Sequence, residues 1–107
     1  MPYYMIQASY KESAAKALAA RPQERSGAVK KMLESLGGKL HSYFLSFGDY
    51  DVVAIVELPG NEAAVAMGLG SVAGGALAKY NTTVLISPDE AVSAMKKAKK
   101  VVYTPPK

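Results

Sequence analysis

Phe47–Leu58 reads FGDYDVVAIVEL: a glycine turn, an acidic-aromatic-acidic cluster, and a run of β-branched residues with the composition of a buried strand. The strand predicted over Asp51–Leu58 sets Asp51, Val53, Ile55 and Glu57 on one side and Val52, Ala54, Val56 and Leu58 on the other. Both sides of its middle are apolar, so it belongs inside a sheet with something covering each face. Upstream, Gly48 and Asp49 turn the chain back onto a strand over Lys39–Phe47. Strict alternation there places His41, Tyr43, Leu45 and Phe47 on one face and Leu40, Ser42, Phe44 and Ser46 on the other, wetter one.

Further toward the N-terminus, Gly37-Gly38 stops a helix over Pro22–Leu36 whose Val29, Met32, Leu33 and Leu36 repeat at i, i+3, i+4, i+7. Gly27 weakens its first turn and a half. A short alanine-rich helix over Lys11–Ala20 precedes it, interrupted at Arg21-Pro22. Before that, Tyr3–Ser9 reads as a strand apolar on both faces, with Tyr4, Ile6, Ala8 and Tyr10 on one of them. Toward the C-terminus, Pro59-Gly60 closes the buried strand, and Asn61 is expected to cap a helix reaching about Lys79. The glycines of Gly68–Gly75 are expected to kink that helix or let it pack tightly. A strand follows over Thr82–Ser87. Ser87-Pro88-Asp89-Glu90 then spells a capping box for a last helix over Ala91–Lys100, and the tail Val101–Lys107 is expected to be extended or docked on a neighbour.

The order β-α-β-β-α-β with a terminal helix predicts an α+β, ferredoxin-like fold: one domain over residues 1–100 and a tail over 101–107. Right-handed crossovers place the first and third strands centrally and both helices on one face. The bare face then carries an apolar patch too large for a comfortable monomer, which predicts sheet-to-sheet homodimerisation or a higher homo-oligomer.

Composition narrows function mainly by exclusion. The 107 residues are half hydrophobic and about a fifth charged, the balance of an ordered globular chain. With no cysteine, disulfide frameworks, thiolate metal sites and cysteine nucleophiles are excluded. Neither a signal peptide nor a membrane-length apolar run is present, so a soluble cytoplasmic protein is the expectation. The net charge of +4 is accounted for by Lys96, Lys97, Lys99 and Lys100, which suit the end of a helix and make nucleic acid an unfavoured partner.

From its Leu-Gly-Gly helix end at Leu36 through Gly48, Tyr50 and Asp51 to the Val-Ala-Ile-Val-Glu strand and its Pro, the chain resembles the GYD domain family. The tyrosine on the strand before the turn and the Pro-Asp-Glu start of the last helix match as well, so the resemblance runs from Tyr4 to Lys100. It implies a bacterial or archaeal ferredoxin-like domain that assembles as a dimeric α/β barrel, and it implies no activity.

The candidates for chemistry are therefore weighed on the residues themselves. Tyr50 and Asp51 offer a phenol beside a carboxylate at a cavity mouth, or else a corner in which Asp51 accepts from the turn amides of Gly48 and Asp49. His41, the sole histidine, can titrate near neutrality. Sharing a face with Tyr43, it would form an acid-base cluster with Glu57, which also has Lys79, Tyr80 or a subunit neighbour as prospective partners. Gly68–Ala73 matches a dinucleotide fingerprint in letters but lies within a helix, and a single histidine makes a poor metal site, so no cofactor is expected. Three functions follow: a homo-oligomeric binding module with a barrel cavity for a small apolar or aromatic ligand, a cofactor-free oxygenase, isomerase or lyase, or a scaffold using its basic tail.

Overall fold

The computed structural model describes residues 1–46 and 48–107. Its elements are β1 (Tyr3–Tyr10), α1 (Glu12–Ala20), α2 (Ser26–Ser35), β2 (Lys39–Leu45), β3 (Val52–Glu57), α3 (Asn61–Ala73), β4 (Leu77–Leu85) and α4 (Pro88–Ala98). The four strands form one antiparallel sheet in the order β2-β3-β1-β4, so the two strands that read apolar on both sides are the central pair. This is the α+β ferredoxin-like architecture expected from the pattern. Phe47, the end of the predicted second strand, lies outside the described residues.

One sheet face is closed by α2 and α3. Tyr4, Ile6 and Ala8 of β1 and Val52, Ala54 and Val56 of β3 are buried there together with Leu33, Leu58, Ala64 and Met67. Leu33, Val56 and Leu58 have no exposed surface, and each such side chain contributes on the order of 1.5–3 kcal/mol on burial. Gly38 has to be glycine at the end of α2, since a Cβ would stand 2.5 Å from the Glu57 carbonyl oxygen and 2.7 Å from Leu58. The helix end and β3 thereby meet without a side chain between them.

Several boundaries differ from the sequence reading. α2 begins at Ser26, not Pro22, because Arg25 is its N-cap residue and the Glu24 carboxylate accepts from the Ser26 N–H at 2.7 Å. α3 stops at Ala73: Gly75 takes φ +84°, a conformation that ends a helix, and β4 starts at Leu77, five residues before the expected strand. Asn61 does not cap α3. Its Oδ1 accepts from the Tyr4 hydroxyl at 2.8 Å, tying the helix start to the central strand. Ser87 does cap α4, its Oγ accepting from the Glu90 N–H and donating to the Glu90 carboxylate, both at 3.2 Å, so glutamate reaches back to the serine hydroxyl and not to its backbone N–H.

Candidate functional site

The Gly-Asp-Tyr-Asp corner is a bracket between β3 and β1. Gly48 sits at φ +118°, which glycine alone adopts freely. Among the described residues, Asp51 turns its carboxylate to β1 and not to the turn amides. Its Oδ2 accepts from the Tyr10 N–H at 3.0 Å, and its own N–H donates to the Ala8 carbonyl at 2.9 Å. Ser9 Oγ donates to the Asp49 carbonyl at 3.0 Å, and Ser46 Oγ to the Tyr50 carbonyl at 2.7 Å. Lys79 lies 5.5 Å from the Tyr50 ring centroid, so the phenol packs under a cation at the sheet end. Four segments are joined at this corner, and Asp51 spends a carboxylate oxygen on holding β1.

His41 and Tyr43 do not share a face. Leu40 pairs with Val56 and Ser42 with Ile55, so His41 is an extra residue on β2 and the alternation slips by one. Tyr43 consequently stands opposite Ala54 on the helix side, whereas Ser42 and Phe44 oppose Ile55 and Val53 on the bare side. On the bare side His41 Nε2 donates to Glu57 Oε2 at 2.7 Å, and its ring lies 5.0 Å from that of Tyr3. The hydrogen bond holds the Glu57 carboxyl below the usual carboxylate range, against a smaller opposing effect of desolvation. The expected His41–Glu57 pair is therefore formed, without Tyr43. Neither Lys79 nor Tyr80 is the partner of Glu57.

On the helix side a cavity of about 250 Å³, open to solvent on one side, lies between the sheet, α2 and α3. Ile6, Val29, Met32, Met67 and Leu77 give it apolar walls, and Tyr10, Tyr43, Tyr80 and Ser71 supply the polar groups. Tyr10, Arg25 and Tyr43 also line a shallow outer cleft with Leu18, Phe44 and Leu45, so these three residues stand where the interior meets solvent. Burial pushes the Tyr43 phenol well up, and the neighbouring Tyr10 hydroxyl adds to the shift, so it is a neutral donor at physiological pH. Tyr80 is packed against Gly68, where a Cβ would come within 3.1 Å of its ring, so this glycine serves close helix-to-sheet contact. Among the described residues, the Tyr80 hydroxyl is the enclosed side-chain polar atom without a hydrogen bond. Burial raises its pKa, while Ser71 and Thr82 are near enough to pull the other way without either satisfying it.

Tyr43 was thus legible as a candidate, but Tyr10, Arg25 and Tyr80 were not singled out for this cavity. The available signal was the inward face of β1, which carries Tyr10 in register with Ile6 and Ala8. Among the described residues no group of three His, Asp or Glu side chains can hold a metal ion, and no helix is long and apolar enough to cross a membrane.

Comparison with solved structures returns the same fold. The MtbAldR crystal structure superimposes with a TM-score of 0.52 at 15% identity, over 80% of this chain and 52% of that one. A transcriptional regulator from Neisseria meningitidis, solved in complex with L-Met, gives 0.53 at 13% identity, over 81% and 51%. The chain thus spans about half the length of each. No curated protein sequence matches it. The profile of the GYD domain matches residues 4–95, which covers the sheet, the corner that names the domain and most of α4: the chain belongs to the GYD domain family.

Proposed function

We propose that the chain is a homo-oligomeric binding module that seats a small apolar or aromatic molecule between its sheet and helices. The observation carrying this reading is the partly open cavity of about 250 Å³ with apolar walls and three tyrosines, one of which has an unpartnered buried hydroxyl. A cavity of about 150 Å³ holds a benzene-sized molecule, so this one suits a single substituted ring. Its polar groups are few and directional, as in small-molecule sites that fix orientation while apolar walls supply affinity. A regulator that shares this fold over about half its length was solved in complex with L-Met, which supports testing small ligands on this chain. The bare sheet face, with Met5, Val53, Ile55 and the more exposed Phe44, is assigned to a second copy, which completes a dimeric α/β barrel. A cytoplasmic location accords with the absence of cysteine.

Native mass spectrometry of the purified protein tests this reading, together with methyl spectra of methionine-labelled chain titrated with benzoate, phenol and toluene. A retained adduct, or shifts at Met32 and Met67 but not Met5, supports it. Gly70→Phe, at a cavity position where a Cβ meets nothing within 4 Å, is expected to abolish both. Bare chain with no methyl shift from any of the three probes overturns it.

The His41–Glu57 pair favours a second reading, a cofactor-free enzyme working from the bare face with His41 as proton carrier. Turnover of a bound molecule that is lost in His41→Ala and unaffected by Gly70→Phe would select it.

A further inference from the structure

Two elements of this chain leave apolar surface that the chain does not cover. α3 has one charged residue, Glu62, among its thirteen. It turns Ala64 and Met67 into the core, yet presents Val65, Leu69 and Val72, at i, i+4, i+7, to solvent. A helix that is apolar all round belongs between two covering layers. With Val84 of β4, which is 57% exposed, these side chains line an open groove of about 510 Å³ between α3 and β4.

α4 has the complementary defect. Its stripe of Ala91, Val92 and Met95 continues into Val101 and Val102, and every residue from Val92 to Lys107 is exposed. Helices of about eleven residues are marginal in water unless an apolar face is packed. α4 nevertheless has no extensive contact with any other element and buries none of its residues. The radius of gyration of 17.3 Å, against roughly 13 Å for a compact domain of this length, reflects the projecting arm.

We propose that α4 of one chain lies in the α3–β4 groove of a second copy, with the exchange reciprocal about a two-fold axis. Arm and groove occur in every chain, so a symmetric pair satisfies both at once. Ser87 and Pro88 form a built helix start two residues after β4, and from there α4 makes no extensive contact with its own chain. Eight exposed large apolar side chains per chain enter the contact, at on the order of 100 Å² each. Counted on both chains, that reaches the roughly 1,200–2,000 Å² of a stable interface. The groove walls carry no charge, and Glu62 at one end of α3 pairs with the Lys96–Lys100 end of α4, which sets the direction of the arm. This contact lies on the helix side and is separate from the pairing of bare sheet faces.

The absence of cysteine permits a direct test. The Leu69→Cys/Met95→Cys double variant, both positions being exposed, is oxidised mildly in the full-length protein and run on a denaturing gel. The expected product is a covalent two-chain species containing a 69–95 linked peptide, with neither single variant forming that peptide alone. Mixing the two single variants should also give a linked pair, since the two cysteines then reside on different chains. A ring closed within one chain, or no 69–95 linkage at all, overturns the proposal.

Discussion

The two faces of one sheet differ in what finishes them. On the helix side, alternate residues of β1 and β3 are buried against α2 and α3, and the imperfection of that packing is a cavity lined by tyrosines. On the other side, Met5, Gln7, Val53 and Ile55 remain half-exposed, bordered by the His41–Glu57 pair. The same strands supply both, so side-chain composition does not separate them. Topology does, by putting both crossover helices on one face. One side is covered over the middle of the sheet by the chain's own helices, whereas the other has no covering layer from this chain.

Substitutions should respond accordingly, the largest effect arising on the complete side. Leu33→Ala removes a fully buried side chain and should cost about 3 kcal/mol in urea denaturation, independent of protein concentration. Ile55→Ala on the bare side should cost under about 1 kcal/mol in dilute single chains and show its effect only through self-association. An equal, concentration-independent loss at both positions would erase the distinction. Asp51→Ala comes next, since it strips the Tyr10 N–H of its acceptor at the sheet end. A loss of about 1–3 kcal/mol is expected, with faster hydrogen exchange at the Tyr10 N–H in the variant than in the wild type.

Tyr80→Phe removes a buried hydroxyl that has no hydrogen bond, so thermal stability should be unchanged or higher by about 1 kcal/mol. A clear destabilisation would mean that Ser71 or Thr82 satisfies it. The smallest effect belongs to Glu57. Its folded-state carboxyl titrates below the ordinary value of 4.5, so its contribution is present above that pH and is lost as pH falls through the lower folded value. The drop in stability on acidification below about pH 4.5 should be slightly shallower in Glu57→Gln, measured by denaturation at stepped pH.

The fold was legible because its signals were redundant. Apolar residues on both sides of Tyr3–Ser9 and of the middle of Asp51–Leu58 mark the central strands, and Ser87-Pro88-Asp89-Glu90 marks the start of α4. The site was less so, for reasons tied to particular residues. A bulge at His41 inverts the side-chain alternation beyond it, and nothing in the letters KLHSYFL announces an extra residue. The Gly74-Gly75 break sat inside a segment whose alanines and glycines read as a weak helix, so Leu77–Asn81 was not recognised as strand and Tyr80 not as part of its inward face. Asp51 was read as a local turn acceptor because sequence proximity favours Gly48 and Asp49. Its real partner, Tyr10, is forty-one positions away.

Light scattering of wild type and Ile55→Lys at micromolar concentration tests most directly whether a second copy lies against the bare sheet face. The expected result is a wild-type mass of at least two chains, with Ile55→Lys keeping its fold by circular dichroism but losing the sheet-mediated part of that mass. A wild-type mass of one 11.3 kDa chain, or an Ile55→Lys variant that is folded and associates as wild type does, would contradict it.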